Sequence, residues 1–354
     1  MREVIKRGRD LHRIALNARF RVHRTTGMQR YAIEISKRLA GILEPVDPPA
    51  GLRGPAGHLW EQLYLPMAVR GRLLWSPNNT GPIAVGRQVC TIHDLIPLEH
   101  PEWFSRQFSG WYQFLLPRLT RRAAHLIAVS AYTKFRLQEL LRIDSSRISV
   151  IPNGVDPRFR PSAPERIEET RAALSIGSGR YLLCVGSVEP RKNIGRLLEA
   201  WRLIQEKLDD DVTLVVAGAA GMSRVFSPVA LGALPPSVHF TGYVPDDRLP
   251  DLYSGATAFI YPSLYEGFGI PPLEAMACGV PVITSNTTSL PEVTGGAAIL
   301  IDPAKPREMA DAILELFSND ALRRELIPKG LARAAFYSWD EAAQMTRRVL
   351  EAHA

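Results

Sequence analysis

Residues 261–282 read YPSLYEGFGIPPLEAMACGVPV. The stretch is entered from an apolar run, Ala258 to Tyr261, and leads into another, Val280 to Thr284. Pro271 and Pro272 suit a helix start and Gly279 its end. The order is therefore strand, glycine-bearing loop, short helix, strand, which is the repeating unit of a parallel sheet. Glu266 falls in the loop after a strand and Glu274 in the first helical turn. Unpaired N–H groups at the helix start, with Gly267 and Gly269 before them, make a seat for phosphate and sugar hydroxyls. A carboxylate beside such a seat is unfavourable unless it accepts hydrogen bonds from hydroxyls, which points to a ribose or hexose rather than a bare phosphate. Glu274 alone could instead serve only to favour the helix N-terminus electrostatically.

The same alternation continues outward. Tyr181–Gly186, Val212–Ala217, Val238–Thr241 and Ala297–Ile301 are further apolar runs, and Ile194, Leu197, Leu198, Trp201 and Ile204 repeat at helical spacing. In the first half, Arg13–Phe20, Leu73–Trp75, Gln88–Ile92, Leu126–Val129 and Ile148–Ile151 read as strands, Gln29–Leu43 as a helix, and the Pro/Gly-rich residues 44–57 as a mobile loop. Pro152, Pro157, Pro161 and Pro164 interrupt both periodicities. With 354 residues, two doubly wound α/β domains are expected, 1–158 and 159–336, facing each other with their strand carboxyl ends and ligands in the cleft between them.

Hydrophobic residues make up 46% and charged residues 22%, which suits a globular chain and excludes disordered, collagen-like and coiled-coil classes. The longest apolar stretches, such as Val212–Ala220, fall short of the roughly 18 residues that span a bilayer. No secretory signal is visible before Leu11, so a cytoplasmic location is expected. Cys90, Cys184 and Cys278 are odd in number and widely spaced, which suits reduced, buried thiols rather than disulfides or zinc. Residues 1–158 carry 24 Lys+Arg against 12 Asp+Glu; the remainder carries 19 against 24. The basic half is expected to meet an anion, unless it is only a solvated surface.

The Glu266-x7-Glu274 spacing and its surroundings resemble the retaining glycosyltransferases of family 4, which have the GT-B fold. Val185-Gly186-Ser187-Val188-Glu189-Pro190-Arg191-Lys192-Asn193 is similar to that family's strand-to-helix loop, Ile151-Pro152-Asn153-Gly154-Val155-Asp156 to its hinge-side motif, and Phe240-Thr241-Gly242-Tyr243-Val244 to its base loop. Phe336-Tyr337-Ser338-Trp339 and the helix after it resemble the family's terminal helix, which implies that residues 337–354 return to the first domain. The resemblance covers most of the chain.

The resemblance implies a role for each matching residue. Arg191 and Lys192 would neutralise a leaving diphosphate, in place of a metal. Asp209-Asp210-Asp211 contains the Asp-x-Asp pattern of metal-dependent transferases but reads as a solvated turn, so no metal site is expected. Glu274 would bind the nucleotide ribose and Glu266 the transferred sugar. Gly186, Ser187, Gly267, Phe268, Gly269, Ile270 and Leu273 would complete the donor site, Tyr243 and Val244 would line the base, and Gly27 would let backbone approach the diphosphate or sugar. His93, at the end of an apolar strand, would contact the sugar near the reacting carbon and donate a hydrogen bond; Asp94 could simply cap the loop. A covalent intermediate would need carboxylates flanking the anomeric carbon, and no first-domain carboxylate other than Asp94 sits in a comparable motif, which favours front-face substitution.

On the acceptor side, Trp103, Phe104, Phe108, Trp111, Tyr112 and Phe114 are interleaved with Arg106, Arg118, Arg121 and Arg122. Such a segment can lie in a membrane interface and hold a lipid diphosphate, stack on single-stranded nucleic acid, or pack as core. No nucleic-acid motif supports the second reading. The expectation is an enzyme without a cofactor that moves a hexose from a nucleotide-sugar to a polyprenyl-diphosphate-linked glycan, peripheral on the cytosolic face of the inner membrane. GDP-mannose is the favoured donor, on resemblance of residues 59–62 and 75–82 to bacterial mannosyltransferases. A UDP- or dTDP-sugar donor is the alternative; a non-catalytic nucleotide-sugar-binding or nucleic-acid-binding protein is the alternative of another class. Oligomeric state is left open.

Overall fold

A computed structural model describes residues 14–22, 26–218 and 225–354. The chain packs as two compact units: Met1–Glu99, Ser109–Gly154 and Ser338–Ala354 form one, His100–Phe108 and Val155–Tyr337 the other.

The first unit contains β1 (Ile14–Asn17), α1 (Gly27–Arg38), β2 (Leu43–Val46), α2 (Gly54–Ala68), β3 (Leu74–Ser76), β4 (Gln88–Ile92), α3 (Ile96–Glu99), most of α4 (Arg106–Arg122), β5 (His125–Ala128), α5 (Ala131–Leu141) and β6 (Ile148–Val150). Its six strands are parallel, in the order β2-β1-β3-β4-β5-β6. Cys90, Ile92, Leu126 and Ala128 pack against Leu115, Leu116 and Leu119 of α4 and Leu137 of α5. Two expectations are corrected here. Residues 44–57 are not one loop: Leu43–Val46 pairs with β1 as an edge strand, and α2 begins at Gly54. Pro45 hid that strand, since proline is tolerated at a sheet edge and nowhere further in. The helix expected to reach Leu43 ends at Arg38.

The second unit contains α6 (Pro164–Ala173), β7 (Tyr181–Val185), α7 (Ile194–Ile204), β8 (Thr213–Ala217), β9 (Val238–Gly242), α8 (Leu249–Ser254), β10 (Ala258–Tyr261), α9 (Ile270–Ala277), β11 (Val282–Ser285), α10 (Leu290–Thr294), β12 (Ala298–Ile301), α11 (Pro306–Ser318) and α12 (Asp320–Ala335). Its parallel order is β12-β11-β10-β7-β8-β9. The apolar stripe of α7 is fully buried with Leu182, Leu214, Ile260 and Ile313. Each such aliphatic side chain contributes about 1.5–3 kcal/mol on leaving water. The last helix, α13 (Trp339–His353), packs on α1 of the first unit, with Trp339 edge-on to Tyr31 and Asp340 paired with Arg38 at 2.6 Å.

In each sheet the strand order reverses once. In the second unit this falls between β7 and β10, in the first between β1 and β3. Loops leaving the carboxyl ends of adjacent strands diverge there, leaving room for a ligand.

Candidate active site

The loops after β7 and β10 meet at the reversal of the second sheet. Leu264 donates its N–H to the Arg191 carbonyl at 2.7 Å, and Asn193 Nδ2 donates to the Pro262 carbonyl at 3.1 Å. This joins the arginine-lysine pair to the glutamate loop before any charge is counted. Thr288 and Ser289 hold that loop from the next connection: Thr288 Oγ1 accepts the Glu266 N–H at 3.2 Å, and Ser289 Oγ reaches the carbonyls of Glu266 and Phe268 at 2.9 and 2.8 Å.

Three donors converge on a single atom, Glu266 Oε1: Arg191 Nη1 at 2.7 Å, Lys192 Nζ at 2.6 Å and Tyr261 Oη at 2.9 Å. Lys192 Nζ also donates to Tyr261 Oη. Burial alone would push the Glu266 carboxyl up, but the two cations and these hydrogen bonds bring it down to about 2. Burial, with Arg191 alongside, pushes the Lys192 ammonium below its ordinary value, against the pull of Glu266. Arg191 Nη2 also pairs with buried Glu189 at 2.6 Å. Among the described residues, nothing donates to Glu266 Oε2. The cluster thus supplies two cations and one open carboxylate oxygen, complementary to a diphosphate and a hydroxyl-rich sugar.

Helix α9 opens at Gly269, whose φ of +101° suits glycine, and a Cβ there would meet Leu290 at 2.6 Å. Pro271 and Pro272 carry no N–H, so two of the four amides a helix start normally leaves open are missing. The anion seat is therefore narrower at the helix start than expected, reduced there to Gly269 and Ile270. Glu274 lies one turn on, with Oε2 accepting from Tyr253 Oη at 3.0 Å. Phe268, Leu273 and Val244 are buried. Tyr243 is 73% exposed. Gly186 and Gly218 end β7 and β8 side by side, and a Cβ on Gly218 would lie 2.1 Å from the Gly186 carbonyl; Ser187 follows, half-buried.

In the first unit, His93 follows β4. Asn79 Oδ1 accepts its N–H at 2.6 Å, Thr133 Oγ1 donates to its carbonyl at 3.2 Å, and its Nε2 lies 2.8 Å from the Pro77 carbonyl. A carbonyl only accepts, so Nε2 carries the proton and Nδ1 the lone pair. Burial pushes the ring down to about 4, against the Pro77 bond. His93 is thus neutral and offers an acceptor, where the sequence suggested a donor. Asp94 Oδ1 accepts the Ile96 N–H at 3.2 Å, as a loop cap. Gly27 is the first residue of α1, exposed, with space around it.

The reversal of the first sheet holds a cluster to which the sequence reading assigned no role. Glu61, fully buried on α2, accepts from Asn17 Nδ2 at 2.7 Å and from Thr80, and lies 3.5 Å from Arg19 Nη1. The signal was the resemblance of residues 59–62 and 75–82, which carry Glu61 and Thr80. Tyr261 and Asn79 were quoted in motifs without a role of their own, and Thr133 was missed; each is an ordinary residue type whose role depends on what lies across a loop.

The aromatic-basic segment is not one patch. Trp103 stacks on His100 at 4.0 Å, and Phe104 bridges to Phe226, both within the second unit. Trp111, Arg118, Arg121 and Arg122 belong to the first. Trp111 Nε1 donates to His58 Nδ1 at 3.0 Å, so that ring is a packing element. Asp209 pairs with Arg180 in the turn before β8, away from the strand carboxyl ends. Among the described residues, no three or more His, Cys, Asp or Glu side chains are grouped so as to hold a metal ion.

Two family models match the chain: Glycosyl transferases group 1 over residues 166–333 and Glycosyltransferase Family 4 over residues 77–159. O-antigen chain mannosyltransferase B of Escherichia coli is 33% identical over 272 residues, covering 76% of this chain and 71% of that protein. Serotype-specific mannosyltransferase WbdA of Escherichia coli is 32% identical over 267 residues, 73% of this chain but only 32% of that protein's length. Among solved structures, Anabaena Alr3699/HepE in complex with UDP and glucose superimposes with a TM-score of 0.76 at 18% identity, covering 96% of this chain and 100% of that one. With this likeness spread across both units, the chain belongs to the family 4 glycosyltransferases, enzymes of GT-B fold that take their sugar from a nucleotide-sugar.

Proposed function

We propose that the enzyme transfers a hexose with retention from a nucleoside diphosphate sugar to a sugar acceptor carried on a lipid diphosphate. The observation that carries this reading is the convergence of Arg191 and Lys192 on one oxygen of Glu266 at the reversal of the second sheet. The two cations would take up the charge of the departing diphosphate, and preorganised charges in a buried site stabilise it without reorganisation. Glu266 Oε2 would accept from sugar hydroxyls and Glu274 from the ribose. His93 Nδ1 would accept a substrate hydroxyl. The departing diphosphate oxygen would take the acceptor hydroxyl's proton as the new glycosidic bond forms on the same face. Asp94, engaged as a cap, is left out of this step.

The mannosyltransferases above support mannose as the transferred sugar, and with it GDP-mannose. A protein of the same fold was solved with UDP and glucose, so a UDP-hexose, or a dTDP-hexose, is carried beside it. The wider statement, a nucleoside diphosphate hexose, is the better supported. The relatives' printed names place them in O-antigen chain synthesis, which supports a surface polysaccharide as the product and a lipid-linked acceptor. Among the described residues no helix is long and apolar enough to cross a membrane, and we propose a peripheral position on the cytosolic face of the inner membrane. The domain roles follow: donor in the second unit, acceptor in the first.

The test is release of nucleotide and sugar from GDP-mannose, UDP-glucose and dTDP-glucose, with the anomer of the product read by NMR. Turnover of one donor with its α-configuration kept is the expected result. Inversion would overturn the retaining reading, and no turnover of any donor, even with lipid-linked saccharide supplied, would overturn the transfer.

A further inference from the structure

Helix α2 carries an apolar stripe on its outer face. Leu59, Leu63, Tyr64 and Met67 are 61, 62, 52 and 57% exposed. Leu59, Leu63 and Met67 recur every four residues with Tyr64 beside them, so they form one stripe along the helix. The other side of α2, with Gly57, Glu61 and Leu65, is buried. Single exposed hydrophobics are ordinary; four large ones on one face of one helix are not.

The charge that α2 and its flanking residues place beside this face has one sign. Arg53 and Arg70, both exposed, stand at its two ends. The sole acidic residue of α2, Glu61, points inward to Arg19. An apolar stripe without acidic side chains, flanked by an arginine at each end, matches a surface that is apolar beneath and anionic on top.

We propose that α2 lies in the interface of an anionic phospholipid bilayer, Leu59, Leu63, Tyr64 and Met67 entering below the headgroups. This names, beside residues 103–122 where the sequence suggested a membrane contact, a helix the sequence hid. It deepens the lipid-acceptor reading and rests on it for the reason a membrane is sought.

The test is co-sedimentation with vesicles of phosphatidylglycerol and phosphatidylcholine, against phosphatidylcholine alone. Wild type is expected to bind the anionic vesicles, and Leu63→Glu/Met67→Glu to bind at least about tenfold more weakly at an unchanged Tm, since both side chains are exposed. Cys90, Cys184 and Cys278 are buried, so Met67→Cys accepts an environment-sensitive fluorophore selectively. Its emission is expected to shift to the blue with vesicles and to be quenched by brominated lipid, while the same label at Asp311→Cys is unchanged. Equal vesicle binding by wild type and the double variant, or an unmoved label at position 67, would overturn the proposal. So would self-association abolished by the double variant, which would assign the face to a second copy. Nucleotide binding is measured on the same samples; its loss in wild type would count against the donor site, whereas vesicle binding alone decides the role of α2.

Discussion

Lys192 Nζ stands 2.6 Å from Glu266 Oε1 with the two side chains 9 and 10% exposed. The pair ties the loop after β7 to the loop after β10 at the one place where the second sheet reverses direction. Taking both charges out of water is costly, and removing one partner of such a pair costs about 3–5 kcal/mol. Arg191 remains on the same oxygen in a Lys192→Met variant, so the lower end of that range is expected. Transfer is expected to fall by about a hundredfold or more, as when one preorganised charge is removed from a reacting site. Chemical denaturation and steady-state kinetics check the two halves; a variant with full activity would contradict the role of Lys192.

The acid sensitivity of this pair has a definite sign. The Glu266 carboxyl is depressed to about 2 from an ordinary 4.5. Its contribution to stability is therefore complete above pH 4.5 and is lost as pH falls toward 2, amounting to about 3 kcal/mol at most. The difference in Tm between wild type and Glu266→Gln is expected to stay constant from pH 7 to 5 and to shrink below that.

His93 acts in a higher window. Its ring is depressed to about 4 from 6.5, so the stability tied to a neutral imidazole is complete above pH 6.5 and is lost as pH falls to about 4. Wild type is expected to lose stability over that window faster than His93→Gln. In NMR, the His93 ring is expected to remain neutral at pH 6; a midpoint near 6.5 would contradict the buried, Pro77-bonded ring.

Much of this fold was legible from short apolar runs. Ala258–Tyr261 and Gln88–Ile92 match their strands at both ends, because a strand buried on both faces is largely apolar. Leu43–Val46 was not legible, because an edge strand with a proline carries neither signal. The loop after β10 showed its chemistry through Glu266, Gly267 and Gly269, residues whose types already limit what they do. Tyr261 was read as strand and no more, because its hydroxyl gains its role only from Lys192, 69 residues away. Glu61 likewise requires Asn17 and Thr80 to be seen beside it. Sequence carries residue type and local period; it does not carry which loop faces which.

Glu61 is open to its own test. Burial alone would push its carboxyl up, yet His58, Arg19 and Thr80 hold it below the ordinary range. Glu61→Ala would leave Arg19 buried without its counter-ion, at a cost of about 3–5 kcal/mol. Glu61→Gln keeps the acceptor for Asn17 and is expected to cost less. Equal, small losses of Tm in both would mean the cluster is solvated.

Gly154 lies where the chain leaves the first unit. A Cβ there would stand 2.2 Å from the Trp339 backbone nitrogen, and a backbone atom cannot swing aside. Gly154→Ala is expected to lower Tm by displacing the start of α13, while Gly110→Ala in α4, where a Cβ meets nothing within 4 Å, is expected to be neutral or slightly stabilising. Unchanged stability in the first variant would contradict that close approach.

The most direct measurement is calorimetric titration of GDP, UDP and dTDP into wild type and into Lys192→Ala, with Glu61→Gln as a control outside the second unit. Binding of one diphosphate by wild type and by the control, and its loss by at least about tenfold in Lys192→Ala, is the expected result. Equal affinity in wild type and Lys192→Ala, or no binding of any diphosphate, would contradict a donor site built on Arg191, Lys192 and Glu266.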